Sequence, residues 1–406
     1  MPDQPRIAIT GIGMICALGV DREAVWAHLV GGHCGIGPVT LFETGGYRSR
    51  VAAQVDLSDA QARFTPYQRR RWSRSDMMAV IAAEEAVADA GLLDSGVDRE
   101  RVGVLLGAGT GDLVRNESYY FTMRREGIGH ARPTWIHNHF SSTPVDVVGA
   151  HFGFEGVRSC LIAACSSSTI AIGQAVDAIR RGRVDAALAA GTDALSRLTF
   201  SGFNALRLMD PQPCRPFDAG RQGMNIGEGA AILVLERQDR AVRRGAHVYA
   251  ELAGYSFTCE AHHPTAPEPE GQAIAATIRA ALADAGVNET DVEHVNAHGT
   301  ATPQNDKAEA RGVRVVFGDR AASIPVTSIK SMIGHCLGAA GAMEAAAVAL
   351  TIDRGIIPPT INHQTVDPEC PVDLVANEPR EISVSCAVST SLAFGGNDSA
   401  LVLRQA

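Results

Sequence analysis

The sequence predicts an α/β chain built from two copies of one unit, with helices covering mixed sheets. Strand-like and helix-like stretches alternate along its whole length. The pattern also repeats. The helix AVIAAEEAVADAG closes at Gly91 and AIAATIRAALADAG closes at Gly286; Gly-Thr turns follow at Gly109-Thr110 and Gly299-Thr300. Two small-residue helices then end at Arg181-Gly182 and Arg354-Gly355. Finally, 41 glycines against 5% aromatics suit helices packed closely on sheets. The repeat divides the chain into halves 1–250 and 251–406. Two such units face to face bring strand ends and helix N-termini to a common centre, where ligands bind in folds of this class.

Bulk properties narrow the function. With 46% hydrophobic and 20% charged residues, 406 residues form a large core and not a disordered chain. A net charge of −9 argues against nucleic-acid binding. No stretch is apolar for long enough to predict a membrane span. The chain enters a strand, RIAITGIG, without a signal-like segment. Nine cysteines lack any CxxC or Cys/His metal spacing, so free thiols in a reducing cytoplasm are expected, and no metal.

In order, Ile7 to Thr10 reads as a strand closed by Gly11-Ile12-Gly13. A dinucleotide loop fails there, because Cys16 stands where GxGxxG needs its third glycine. Residues 21–31 read as a helix capped by Asp21 and ended by Gly31. A basic run holds Arg69, Arg70 and Arg71; a helix from Asp76 to Ala90 follows. A strand over 102–111 leads into a region without clear periodicity to about 140, carrying Arg124 and Arg125. The apolar run Leu161–Ala164 reads as a strand ending at Cys165, with a buried helix behind it to Arg180. Strands over 185–192, 230–236 and about 248–257, and a helix within 237–245, complete the first half. In the second, Val292–Asn296 delivers His298, and Ile324–Ile329 delivers Lys330 and His335 just before the mate of the Cys165 helix. The last strand pair turns at Phe394-Gly395-Gly396.

These positions carry the chemistry. A thiol at a helix start ionises more readily and acts as a nucleophile; as a small buried filler it does neither. His298, Lys330 and His335 emerge at ends symmetry-matched to Cys165. Phe394 with two glycines makes either a tight hairpin or a mobile gate. A thiol that accepts an acyl group, with imidazoles to stabilise an enolate, suits acyl transfer followed by carbon–carbon bond formation.

Nearly end to end, the chain resembles the elongating β-ketoacyl–acyl carrier protein synthases of the thiolase superfamily. The resemblance rests on ITGIGMICALG, ACSSS at Cys165, GTDA, RPFDAGRQGMNIGEGA, NAHGTATPQNDKAE, KSMIGHCLGAAGAMEAA, PPTIN and SLAFGGND, in this order. It implies a five-layered αβαβα sandwich of two pseudo-symmetric halves, the first with the nucleophile and the second with the histidines and gate, assembled as a dimer. It implies Cys165 as the acylated nucleophile, His298 and His335 as partners of the malonyl thioester, Lys330 as their support and Glu344 as its ion-pair partner. Thr300 and Thr302 resemble pantetheine-contacting threonines. Phe394 resembles the gating aromatic whose N–H joins that of Cys165 in an oxyanion hole. No cofactor is implied beyond the phosphopantetheine of the acyl carrier protein. Arg69–Arg71 with Arg124 and Arg125 are a candidate docking patch for that acidic partner, or simply a solvated face. Competing readings are a non-catalytic chain-length partner in a heterodimer, which would lack the nucleophile, and a degradative thiolase, for which Cys336 or Cys386 would be the second cysteine. Several positions depart from the pattern. Gln222 and Met224 replace an aspartate and an aromatic, and Ala393 replaces a glycine. Ser166–Ser168 resemble polyketide ketosynthases. The polar stretch Trp135–His139, at the far end of the acyl tunnel, points to a chain other than a plain saturated one.

Overall fold

The computed structural model describes residues 4–110, 113–136 and 140–406. Its first strand, β1 (Ile7–Cys16), runs straight through Gly11-Ile12-Gly13, where the sequence suggests a turn. The glycines serve close approach instead. Helix α3 (Arg74–Asp89) crosses them so tightly that a Cβ on Gly13 would lie 1.9 Å from the Ala82 carbonyl oxygen, and one on Gly11 2.2 Å from that of Ala86. Because backbone cannot move aside, Gly13→Ala is expected to destabilise the protein by about 3 kcal/mol, read from a denaturant titration.

Helix α1 (Arg22–Val30) starts where Asp21 accepts the Ala24 N–H and stops at Gly31, as the sequence predicts. Capping boxes at Thr65/Gln68 and Ser73/Asp76 open α2 (Pro66–Arg71) and α3, placing Arg69–Arg71 on the last turn of α2. Two short ribbons, β2 (Ile36–Pro38) with β3 (Val51–Ala53) and β11 (Ile356–Ile357) with β13 (Arg380–Glu381), lie outside the main sheet. After β4 (Val102–Gly107), helix α4 (Leu113–Glu126) occupies the region without sequence periodicity. It buries Asn116 and no apolar stripe, so its sequence gives no helical signal. Arg124 and Arg125 sit in its last turn.

The first half continues through α5 (Thr143–Phe152), β5 (Arg158–Leu161), α6 (Ser167–Arg180), β6 (Ala186–Asp193), α7 (Arg197–Ala205), β7 (Gly229–Arg237) and α8 (Gln238–Arg243). β8 (Ala250–Cys259) opens the second, followed by α9 (Gln272–Ala285), β9 (His294–Asn296), α10 (Pro303–Phe317), β10 (Pro325–Thr327), α11 (Lys330–Ile333) and α12 (Ala340–Arg354). β12 (Asp373–Leu374), β14 (Cys386–Ala393) and β15 (Asn397–Arg404) complete it.

The main sheet runs β12-β10-β9-β14-β15-β8-β1-β7-β6-β4-β5. The repeat is explicit in it. β1–β7 and β7–β6 are antiparallel, β6–β4 and β4–β5 parallel. Equally, β8–β15 and β15–β14 are antiparallel, β14–β9 and β9–β10 parallel. The two sheets meet where β8 pairs with β1 at Ala8 and Ile9. Helices α6 and α12 fill the space between them, α3 and α5 cover one outer face, and α9 and α10 cover the other. This is the five-layered αβαβα sandwich. The central layer depends on small residues. A Cβ on Gly341 of α12 would lie 1.9 Å from Thr169 Oγ1 of α6, and every residue from Ala340 to Ile352 is buried. All nine cysteines are unpaired. Among the described residues, no helix is long and apolar enough to cross a membrane.

Candidate active site

β5 ends at Leu161, earlier than the apolar run suggests, and the chain turns sharply through Ala164 at φ 49°. Ser167 fastens the turn, its hydroxyl accepting the Ala163 N–H (2.9 Å) and donating to the Ala164 carbonyl (2.6 Å). Cys165 follows, one residue ahead of the α6 N-cap, Ser166. The neighbouring serines hold the turn in place. Ser166 Oγ lies 2.6 Å from the Asn397 and 3.0 Å from the Ser391 carbonyl, on the two strands of the β14–β15 hairpin. Ser168 Oγ accepts the Ala342 N–H of α12 (3.0 Å). On the sheet side, a Cβ on Gly107 would lie 2.2 Å from Ser168 N.

The second half supplies the facing groups. Beyond β9, a carboxylate on α10 receives the backbone N–H groups of the histidine loop: Glu309 accepts from His298 (2.7 Å) and Gly299 (2.8 Å), and from the Thr390 hydroxyl (2.7 Å). His335 is set by its own backbone, which donates to Asn225 O (2.7 Å) and accepts from Gly227 (2.9 Å). Its Nε2 lies 2.9 Å from Cys165 Sγ. The two imidazoles meet edge to face at 5.2 Å. Lys330, buried, pairs with the Glu344 carboxylate and lies 3.3 Å from His298 Nδ1. An ammonium only donates, so His298 Nδ1 accepts and Nε2 carries the proton. His335 Nδ1 has no partner among the described residues, which leaves that ring able to switch the nitrogen that holds its proton.

Burial sets the charges. It pushes both histidines well below their ordinary pKa, with Lys330 acting in the same direction, so both are neutral donors near pH 7. It pushes the Cys165 thiol up to about 12, with Lys330 pulling the other way. The resting pair is therefore a thiol beside a neutral imidazole, and not the acidified thiol the sequence suggests. The reason is burial, at a residue standing just outside the helix start. Burial also raises Glu344 to about 7, against the pull of Lys330. The thiol and both imidazoles offer ligand atoms within 4.8 Å of one another, but the Lys330 charge beside His298 opposes a metal cation there.

A cavity of about 320 Å³ opens onto Cys165, His298 and His335. Thr300 and Thr302 line it, their hydroxyls 3.0 Å apart. Phe394 lines it from the tip of the β14–β15 hairpin, where Gly395 and Gly396 take φ 84° and 71°, and its ring tilts over Phe203 at 5.8 Å. Gln222 and Met224 form part of the wall, with Gln222 accepting from Arg48 (3.1 Å). Trp135 and Ile136 do not line it, and His137, Asn138 and His139 lie outside the described residues. Arg115 of α4 donates to the carbonyls of Arg69 and Arg70, so the two basic groups occupy linked helices. Sequence reasoning missed Phe203, Glu309, Ser166 and Ser168 as parts of this architecture; only the motif blocks around the last three pointed their way.

The chain matches the models "Beta-ketoacyl synthase, N-terminal domain" over residues 4–241 and "Beta-ketoacyl synthase, C-terminal domain" over 249–364. It is 36% identical over 411 residues to 3-oxoacyl-[acyl-carrier-protein] synthase 2 of Staphylococcus aureus, covering 100% of this chain and 99% of that one. The solved ishigamide ketosynthase/chain length factor superposes with a TM-score of 0.94 at 36% identity, covering 100% of both chains. AntDE:AntF, a type II polyketide ketosynthase in complex with its acyl-carrier protein, gives 0.91 at 31% identity, again covering 100% of both. The chain thus belongs to the beta-ketoacyl synthase family and is a condensing acyltransferase.

Proposed function

We propose that this chain joins an acyl group held on Cys165 to a malonyl unit on acyl carrier protein, releasing CO2 and giving 3-oxoacyl carrier protein. The carrying observation is the His335 Nε2–Cys165 Sγ contact of 2.9 Å, with Lys330 fixing the tautomer of His298 beside it. In the first step Cys165 attacks the acyl thioester. The thiol proton passes to His335 Nε2 and on to the leaving carrier thiolate. In the second, His335, neutral again and with its one proton moved from the unpartnered Nδ1 to Nε2, donates with His298 Nε2–H to the malonyl thioester oxygen. The carboxylate carbon leaves as CO2, its bonding electrons form the enolate, and the enolate carbon attacks the Cys165 thioester, expelling the Cys165 thiolate, which takes a proton from water to restore the resting thiol. The backbone N–H groups of Cys165 and Phe394 serve as the oxyanion hole, Thr300 and Thr302 contact pantetheine, and Phe394 gates entry.

Phosphopantetheine arrives on the carrier protein, for which Arg69–Arg71, Arg124 and Arg125 form the docking patch. The chain works as a dimer with itself or with a ketosynthase-like paralogue, in the cytoplasm. The likeness to the ishigamide pair supports pairing, as does the position of β5 at the sheet edge beside Ile162, which is 65% exposed. Its two functional halves are 1–250 and 251–406. A non-catalytic chain-length role is disfavoured by Cys165 standing with both histidines. Incubation with a panel of acyl carrier proteins is expected to add one acyl mass, mapped by peptide analysis to Cys165. No adduct from any donor would overturn this reading.

A further inference from the structure

Beyond β8, the segment 260–271 folds back over the cavity, where Glu260 and His263–Pro267 line the opening. Two backbone hydrogen bonds stitch it to the Phe394 hairpin: Gly395 N–H donates to Pro264 O (2.8 Å) and Glu260 N–H to Gly396 O (2.9 Å). The Glu260 carboxylate shapes the segment, since its Oε2 accepts the Glu268 N–H (3.0 Å). Its other oxygen, Oε1, is buried without a donor. Beside it on β15, four residues past Phe394, stands Asp398, which lines the same cavity, is only 1% exposed and has an Oδ2 likewise without a donor.

Among the described residues, the charged groups that act on Asp398 are acidic, opposed only by the Ala393 N–H, while Arg207 lines the same cavity without acting on it. Its cross-strand neighbours are Leu392 on β14 and Thr258 on β8. Behind Thr258, α9 presents the Thr277 hydroxyl, 2.5 Å from that of Thr258. From α10 comes Glu309, a further negative charge. The ammonium of Lys330 is committed to Glu344 and His298, and His263 uses Nδ1 to accept the N–H groups of Thr265 and Ala266. Burial, then Glu260, then Glu309 push the Asp398 carboxyl up to about 8. Each carboxyl thus keeps one buried oxygen without a donor, and Glu260 acts on Asp398 both by its charge and by a side-chain hydrogen bond; two neighbouring carboxyl groups hold together only with a proton between them.

We propose that Glu260 and Asp398 share one proton that latches the 260–271 segment to the Phe394 hairpin, and that losing it frees the hairpin and widens the entry to Cys165. The pair thus acts as a positioning device for the gate. This rests on reading Cys165 as the acylated thiol, and adds the control of access to it. Opening releases the proton to water and leaves two carboxylates that repel. The latched form binds that proton more tightly than the open form, so opening grows as pH rises through the titration of the pair.

The test compares alkylation of Cys165 by a bulky pantetheine-length maleimide with alkylation by iodoacetamide, from about pH 7 to about pH 9, with the modified peptide quantified by mass. Both reagents consume the same thiolate, so the ratio of their rates cancels thiol ionisation and reports access. In the wild type the ratio is expected to rise about tenfold. In Asp398→Asn and in Glu260→Gln it is expected to stay flat, because a side-chain amide donates to the remaining carboxylate at every pH. A flat wild-type ratio, or the same rise in both variants, would overturn the latch while leaving Cys165 as the nucleophile. Failure of Cys165 to take either reagent would overturn both.

Discussion

Cys165→Ala is expected to lower condensation by at least about a thousandfold while decarboxylation of malonyl carrier protein continues. The two steps draw on different halves of the site. Breaking the carboxylate bond needs donors at the thioester oxygen, and these are His298 and His335, held by Glu309, Lys330 and the backbone around Asn225. None of those supports involves the sulfur. The variant loses one sulfur atom from a buried turn that Ser166, Ser167 and Ser168 still hold, so its fold is expected to survive within about 1 kcal/mol. Carbon dioxide release and 3-oxoacyl product, followed together, check the result. Condensation persisting within tenfold of wild type would sink the assignment of Cys165. Loss of both activities at once would sink the separation of the two steps.

Lys330→Met is expected to fail twice, in stability and in turnover. Lys330 and Glu344 are both buried, and removing one partner strands the other; such a change typically costs about 3–5 kcal/mol. The penalty carries a pH signature. Burial already raises the Glu344 carboxyl to about 7, and without the ammonium it rises further. A raised carboxyl pKa stabilises the protonated folded form, so the variant loses stability as pH increases and recovers part of it toward pH 6. Turnover falls for a separate reason. His298 Nδ1 loses its donor, the proton is no longer held on Nε2, and kcat is expected to drop by about 10²–10³. Combining Lys330→Met with Glu344→Gln separates the effects. The double variant regains denaturant resistance and stays slow. Recovery of turnover with stability would show that Lys330 acts only as structure.

What the sequence reveals and what it hides follow from the same physics. Cys165, His298, Lys330 and His335 were legible because each follows an apolar run and the repeat matches the two halves, although the structure ends β5 at Leu161 and puts the short helix α11 between β10 and His335. Helix α1 was legible because Asp21 and Gly31 mark its ends chemically. Gly11 and Gly13 misled because a glycine that admits a crossing helix looks the same in sequence as one that permits a turn. Helix α4 was hidden because it has no apolar face to give it a period. Glu309 was hidden because its task is to accept backbone N–H groups from a loop ten residues earlier, which no local pattern encodes. The acidity of the Cys165 thiol was misjudged because the helix start is visible in sequence and the burial opposing it is not.

The strand order also determines how the protein is made. β1, β4, β5, β6 and β7 all lie between Ile7 and Arg237, so the sheet bearing the nucleophile has every pairing partner soon after those residues leave the ribosome. The second sheet must wait. β15 slots between β8 and β14, which remain unjoined until Asn397–Arg404 emerges. Throughout that interval Cys165 stands on the first sheet without the joined β14–β15 hairpin whose Ser391 and Asn397 carbonyls hold Ser166 beside it. The thiol that burial keeps from ionising in the mature site is therefore expected to be an ordinary one in the nascent chain, open to oxidants until the last strand docks.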